Sequence, residues 1–369
     1  MTDPREQGNA QKTPSAGSGS VAAAGLSCPV PAAEGDRVLL GHGSGGKLSA
    51  RLIRDRFLPR FSNPALAPLG DGAIVPLGDE RFVISTDTFV VSPLEFPGGD
   101  IGLLAVHGTL NDVAMMGAEA VCLSSGFVLE EGLPLEILDR VLDSMAWAAG
   151  EAGVPLVTGD TKVVERGKAD GLYVNTTGIG RLREGFEPAP DRAEPGDVIL
   201  VSGAIGRHGI AVMSVREGLG FEVEVESDTA HLGPLVAGLS VACGDAVRVL
   251  RDPTRGGVAS ALNEIAAASG VHIALDGAAL PVPVPVHAAC EVLGLDPLYV
   301  ANEGILVAVV RPDSEESALR ALRGHPTGAG ARKIGVVESG PAGMVSLKTG
   351  LGGSRVVDML PGDQLPRIC

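Results

Sequence analysis

Along the chain, short β-rich runs alternate with amphipathic stretches. Arg81-Phe-Val-Ile-Ser85 reads as a strand, and residues 101–116 as a helix whose apolar stripe holds Leu104, Val106, Leu110 and Val113. A second helix is predicted over 135–149. The segment from Arg181 to Glu194 is charged and weakly patterned, and the turn Pro195-Gly-Asp197 after it leads into the very apolar strand Val198-Ile-Leu-Val201. A domain boundary is expected there. Beyond it the pattern predicts a helix over 257–268, strands over 271–275 and 305–310, and a helix over 314–323. The expected architecture is α+β, with one domain over 37–190 and another over 191–346.

Both ends of the chain differ from this middle. Residues 1–36 are rich in Ala, Gly, Ser and Pro and lack apolar periodicity, so they read as a disordered extension without an apparent export signal. Residues 347–369 begin among glycines and contain two prolines, which predicts a flexible arm with an ordered tip. From Ser354 the arm could reach about 50 Å if fully extended. It ends in Cys369.

Charge and cysteine usage narrow the classes of function. A net charge of −16 repels nucleic acid and anionic membranes, and no apolar run is long enough to span a bilayer. The five cysteines, Cys28, Cys122, Cys243, Cys290 and Cys369, form no C-x-x-C pair, which argues against a zinc knuckle or a disulfide framework and for a reducing cytoplasm. Cys369 is too close to the end for prenylation. Glycine, at 52 residues, is about twice as common as usual, and much of it is clustered as if the backbone approached a ligand.

Three sets of residues carry candidate chemistry. Gly41-His-Gly-Ser-Gly-Gly-Lys47 offers backbone N–H groups and an ammonium to phosphates, with Gly43, Ser44, Gly45, Gly46 and Lys47 as the binding positions; Leu48 excludes a Walker A motif. Isolated acids at expected element ends, Asp71, Asp87, Asp112 and Asp160, suit Mg²⁺ bridging ATP phosphates, or else cap helices and turns. Polar groups near them, Thr161 and Lys162, Asn175-Thr-Thr177, Arg255 between Asp252 and Gly256, and Asn302-Glu303, could contact phosphate or a transition state. The histidines show no zinc spacing, and there is no G-x-S-x-G nucleophile elbow.

Taken in order, Gly43-Ser-Gly-Gly-Lys47, Ser85-Thr-Asp-Thr88, Gly108-Thr-Leu-Asn-Asp112, Thr158-Gly-Asp-Thr-Lys162, Asn175-Thr-Thr-Gly178, Arg251-Asp-Pro-Thr-Arg-Gly-Gly257, Ala301-Asn-Glu-Gly304 and the terminal Pro366-Arg-Ile-Cys369 resemble the hydrogenase maturation HypE family, within the PurM-like, AIR synthetase-like ATP-binding superfamily. The resemblance covers about nine tenths of the chain. It departs from the family pattern at Gly70, His107 and Arg207. It implies a homodimer whose N-terminal domains pair into a β-barrel, with a C-terminal α/β sandwich covering the ATP site. It further implies that Cys369 receives a carbamoyl group from the carbamoyltransferase HypF. ATP with Mg²⁺ would then drive dehydration to a thiocyanate, whose cyanide passes to iron on HypC–HypD. On that reading Asp71, Asp87, Asp112 and Asp160 hold metal, while Thr86, Asp87, Asn111, Asp112, Asp160, Thr161, Lys162, Asn175 and Thr176 bind nucleotide beside the glycine run. Lys162 and Arg255 neutralise phosphate, and Glu303 or His107 is the base. The competing expectations are a superfamily enzyme acting on a free small molecule, and a scaffold that binds nucleotide without turnover.

Overall fold

The computed structural model describes residues 37–43, 45–61, 63–218, 224–350, 352–360, 362, 365 and 367–369. Ser44, Pro366 and the extension 1–36 with Cys28 lie outside them. In chain order the strands are β1 (Ala73–Leu77), β2 (Glu80–Phe89), β3 (Glu95–Phe96), β4 (Gly99–Asp100), β5 (Ala118–Glu130), β6 (Leu156–Val164), β7 (Leu172–Leu182), β8 (Val198–Val201), β9 (Val247–Arg251), β10 (His272–Asp276), β11 (Val307–Val310), β12 (Arg332–Glu338), β13 (Met344–Lys348) and β14 (Ser354–Val356). The α-helices are α1 (Lys47–Leu52), α2 (Leu58–Phe61), α3 (Ile101–Met115), α4 (Leu135–Ala152), α5 (Arg207–Arg216), α6 (Gly233–Cys243), α7 (Gly257–Ser269), α8 (Val284–Leu293) and α9 (Glu315–Arg323).

Two sheets result. The first runs β1-β2-β7-β5-β6, antiparallel except for the parallel β5–β6 edge pair. Its strands alternate as a half-buried sheet should: Leu172, Val174, Thr176 and Gly178 of β7 are buried, while Tyr173, Asn175 and Thr177 between them are half-buried. The covering helix is α3, whose N-cap Asp100 accepts from Gly102 N and Leu103 N at 2.7 and 2.9 Å. Among the described residues this sheet stays open, so no barrel closes within one chain. At its edge β6 is exposed along almost its whole length.

The second sheet runs β14-β13-β10-β12-β8-β11-β9 and carries helices on both faces. Ile199 and Val201 of β8 pack with α7 through Val258 and Leu262, whereas Val198 and Leu200 pack with α6 and α9 through Leu235, Leu239 and Leu322. Burial on both sides explains why this strand reads as an unbroken apolar run.

The C-terminal arm, expected to be flexible, lies docked in this structure. Ser354–Val356 adds β14 to the edge of the second sheet, Val357 is buried, and Asn263 donates to its carbonyl at 2.9 Å. The tip then enters a core cluster in which Leu365, Ile368 and Cys369 join Leu104 of α3, Ile210 of α5 and Val286 of α8. Backbone bonding and apolar burial at this seat offset the entropy that the glycines and prolines would otherwise leave in the arm.

Candidate active site

Three carboxylates meet where the two sheets face each other. Asp71 precedes β1, Asp112 lies near the end of α3, and Asp252 follows β9; an oxygen from each lies within 4.8 Å of the others. Ser85 of β2 donates to Asp112 at 2.7 Å, and Arg251 pairs with Asp71 at 2.7 Å and with Glu264. Removal from water lifts all three acids: Asp71 is pushed up to about 6, against the pull of Arg251 and with Glu264 adding to the rise, Asp252 to about 8 with Asp71 adding to it, and Asp112 well above the usual range with Asp252, Asp71 and Asp87 adding to it. A cluster that resists holding three negative charges could hold a hard cation, and its all-oxygen donor set fits Mg²⁺. Asp252 was not among the expected metal ligands. Its motif had been noticed for Arg255, and nothing in a single Asp after a strand shows that it folds against Asp71 and Asp112.

A cleft of ≈ 280 Å³ adjoins the cluster, lined by Gly43 and Gly45 from the glycine run and by Asp71, Asp252, Thr254 and Arg255. Gly45 has φ +73°, and a Cβ there would sit 3.1 Å from the Arg255 carbonyl, so glycine is required for the loop to close on that arginine. Lys47 turns away: its amine pairs with Asp358 of the arm at 2.5 Å, and its N–H donates to Leu360 O at 2.9 Å. Gly46 lines a smaller hollow that shares Arg255 and Ser260 with the cleft and is closed by Leu360, Leu365 and Ile368. The glycine run and the arm therefore meet across Arg255.

Cys369 lies at this junction, buried. The arm tip is held by its carbonyls: Val90 N donates to Cys369 O at 3.2 Å, Ser92 N to Arg367 O at 3.3 Å, Arg216 to Arg367 O at 2.6 Å, and His208 Nε2 to Ile368 O at 2.8 Å. Burial raises the thiol far above its usual range; Arg255 draws it down, while Glu303 and Asp87 push it up. Glu303 is itself buried and raised well above the carboxylate range, first by desolvation and then by Asp252, Asp228 and Asp87. Its Oε1 has no partner among the described residues. Arg255 approaches Asp87 of β2 at 3.7 Å and donates to Gly43 O at 3.1 Å.

The remaining expected positions separate from this centre. Asp160 and Lys162 pair with each other at 2.6 Å on β6, about 70% and 68% exposed. They sit three strands from Asp87, roughly 14 Å away at about 4.8 Å per strand. Through the register Thr88–Asn175–Gly126–Asp160, Asp160 shares the outer sheet face with Asn175, whose amide donates to Thr86 Oγ1 and Thr88 Oγ1 at 3.2 and 3.1 Å. Thr161 N donates to Asp160. Thr176 faces inward, bonded to Ala105 O at 2.7 Å and to Thr109 at 2.5 Å, which pins β7 to α3. Asn111 donates to Ala230 O at 3.0 Å and accepts from Leu232 N at 2.7 Å, so it ties down a loop. His107 is buried and pushed down to about 4 by desolvation and by His231, and its Nδ1 has no partner among the described residues. Of the two base candidates, Glu303 meets the thiol.

His208 is also buried and pushed down to about 4, chiefly by desolvation. The unfolded chain takes up this proton near pH 6.5 and the folded one only near 4. The pH-dependent part of its stabilisation is therefore complete above pH 6.5 and is lost as pH falls toward 4. His208→Gln is expected to flatten the acid limb of a melting-temperature profile in that window, by up to about 1.4 kcal/mol per pH unit. A parallel acid limb in the variant would count against the assignment.

Comparison with known proteins agrees with this geometry. The family profile described as AIR synthase related protein, N-terminal domain, matches residues 69–182, and that for the C-terminal domain matches residues 194–348. Two packed domains of this kind around a carboxylate cleft define an AIR synthase related protein. Carbamoyl dehydratase HypE of Cupriavidus necator is 54% identical over 335 residues, covering 90% of this chain and 95% of that one. The HypE of Escherichia coli K12 is 46% identical over 340 residues, covering 90% and 100%. Among solved structures, HypE in complex with ATP matches with a TM-score of 0.76 at 50% identity, over 90% of this chain and 100% of that one, and a HypE–HypF complex matches with 0.80 at 47%, over 84% and 99%. The chain belongs to the carbamoyl dehydratase HypE family.

Proposed function

We propose that this chain dehydrates a carbamoyl group carried as a thiocarbamate on Cys369 to a thiocyanate, consuming ATP and so supplying cyanide for the iron centre of [NiFe]-hydrogenase. The observation that carries the proposal is the burial of Cys369 against Glu303 and Arg255, next to the Asp71–Asp112–Asp252 cluster. The ATP-bound relative supports nucleotide in the adjoining cleft.

The chemistry follows from what faces the thiol. A carbamoyl oxygen leaves poorly; transfer of the γ-phosphoryl to it makes it leave as phosphate. The oxygen attacks phosphorus and ADP departs. The nitrogen gives up its two protons, the C–O bond breaks, and S–C≡N and phosphate remain. Asp71, Asp112 and Asp252, with Asp87 beside them, would hold Mg²⁺, which when bound neutralises phosphate charge. Arg255 spans the cleft and the thiol and can stabilise charge on the transferring group. Glu303 offers a buried, unpartnered oxygen to the carbamoyl N–H, and its raised pKa makes its ionised form a strong base. Burial suits the neutral thiocarbamate and disfavours a thiolate, so loading is expected with the arm undocked, where the thiol meets solvent.

HypF as the carbamoyl donor is supported by the solved HypE–HypF complex of a relative; HypC–HypD as the cyanide acceptor rests on the family resemblance alone. We also infer a homodimer: β6 leaves a sheet edge open, with Val157 and Val163 exposed, and a second copy would cover it. Such pairing would carry Asp160, Thr161 and Lys162 into an interface. No helix among the described residues is long and apolar enough to cross a membrane, and a cytoplasmic site of action remains part of the proposal.

The test is intact-mass analysis after incubation with carbamoyl phosphate, ATP, Mg²⁺ and the transferase. A carbamoyl and then a cyano adduct should appear on the C-terminal peptide. Glu303→Gln should accumulate the first adduct and slow the second by about 10²–10⁴-fold. Absence of any adduct would favour a binding module.

A further inference from the structure

The arm tip and Glu303 are joined by a second route that does not pass through the thiol. His208 of α5 stands edge-on to Phe96, with ring centroids 5.3 Å apart. Its Nε2 faces the Ile368 carbonyl, which can only accept, so Nε2 carries the proton. In the neutral ring Nδ1 is then an acceptor, and the Ser227 hydroxyl, 2.9 Å away, donates to it. Ser227 Oγ in turn accepts from Thr229 N at 3.1 Å. Between these two loop residues, Asp228 accepts from Glu303 N at 3.2 Å and from Gly304 N at 3.1 Å. The Asp228 carboxylate thus holds the backbone at 303–304, and the two backbones also approach closely: a Cβ on Gly304 would lie 1.6 Å from Asp228 O, so only glycine fits. Asn111 anchors the far end of the loop from α3. The ring closes where Glu303 meets the Cys369 thiol.

We propose that His208, Ser227 and Asp228 are positioning residues through which the docked arm sets the placement of Glu303, so that the base is in position when the carrier arrives. The proposal rests on the reading of Cys369 as carrier and Glu303 as base. The relay senses the path of the tip rather than its side chains, because Ile368 is recognised by its carbonyl. Arg216, on the same helix, holds the preceding carbonyl, so α5 grips two successive residues of the arm. Linkage is reciprocal: whatever loosens the 227–229 loop must weaken docking as well as displace Glu303.

The experiment uses the full chain with Ser227→Ala, Ser227→Thr and His208→Gln. Docking is read without turnover, as the rate at which iodoacetamide labels Cys369, followed by peptide mass. Dehydration is read in a single turnover of preloaded protein. Ser227→Ala should speed labelling about tenfold and slow dehydration about tenfold, with loading by the transferase no slower than in the parent and ATP affinity unchanged; Ser227→Thr, which keeps the hydroxyl, should restore both. Should Ser227→Ala fail to fold, His208→Gln, close in volume, is expected to give the same paired change. Faster labelling with an unchanged dehydration rate would reduce His208 to a simple latch and overturn the relay, as would slower dehydration with unchanged labelling. If Glu303→Gln kept full dehydration, the underlying reading would fail instead, a result distinguishable because the labelling comparison does not depend on it.

Discussion

Cys369→Ala is expected to abolish both adducts and all carbamoyl-dependent ATP cleavage while leaving the melting temperature within a few degrees of the parent. The two halves of this result have separate causes. The sulfur is the proposed point of attachment; Cys122 lies on β5 and Cys243 at the end of α6, and Cys290 is buried on α8. Cys290 shares the core cluster of the tip but is fixed on α8, and burial pushes its thiol up to about 11, so it is not expected to stand in for Cys369. Docking, by contrast, depends on carbonyls that alanine retains: Cys369 O still accepts from Val90 N, Ile368 O from His208, and Arg367 O from Arg216. Loss of one buried sulfur costs on the order of 1 kcal/mol, small for a chain of this size. Carbamoyl-dependent ATP cleavage that survived in this variant would move the substrate off the protein and sink the carrier hypothesis. A collapse in stability would show that the tip is a structural plug.

The sequence marked the elements of the centre more clearly than their meeting. The helix predicted over 101–116 is α3 within one residue, and the apolar run at Val198 is β8. Local periodicity suffices for both. The long β5, β6 and β7 strands are less apparent, because β6 is exposed on an edge and β7 uses Thr and Gly at inward positions to let α3 approach. The same limit applies to function. Asp71 and Asp112 could be singled out, but which third acid joins them depends on the end of β9 meeting the turn before β1, as the Arg251–Asp71 pair shows, between strands of different sheets about 180 residues apart. Asp160 carries the same local signal as Asp71 and sits on an outer edge. Lys47, at the end of a convincing glycine run, is taken up by Asp358, far along the chain. Position in a motif indicates chemistry; register decides whether that chemistry is assembled.

One more consequence of the assembled cluster can be measured. Asp112→Asn should raise the melting temperature of the Mg²⁺-free protein by about 2–4 °C, corresponding to roughly 1 kcal/mol, and lower ATP turnover by on the order of 10²-fold or more. Asparagine keeps the shape of the side chain and an oxygen to accept from Ser85, so packing and the 2.7 Å bond survive. What changes is charge. Asp112 faces Asp252, Asp71 and Asp87, and the described cations beside them, Arg251 and Arg255, already pair with Asp71 and approach Asp87. Burial and its neighbours push Asp112 well above the carboxylate range, so above its unfolded pKa the folded chain must either keep this proton or hold the charge against repulsion; asparagine removes that cost, which a proposed cation would otherwise offset. Mg²⁺ should then stabilise the parent more than the variant. A variant less stable than the parent without Mg²⁺ would show that Asp112 is held mainly for its bond to Ser85. Unimpaired ATP turnover would remove the cluster from the reaction, leaving Arg255 as the principal phosphate contact between the cleft and Cys369.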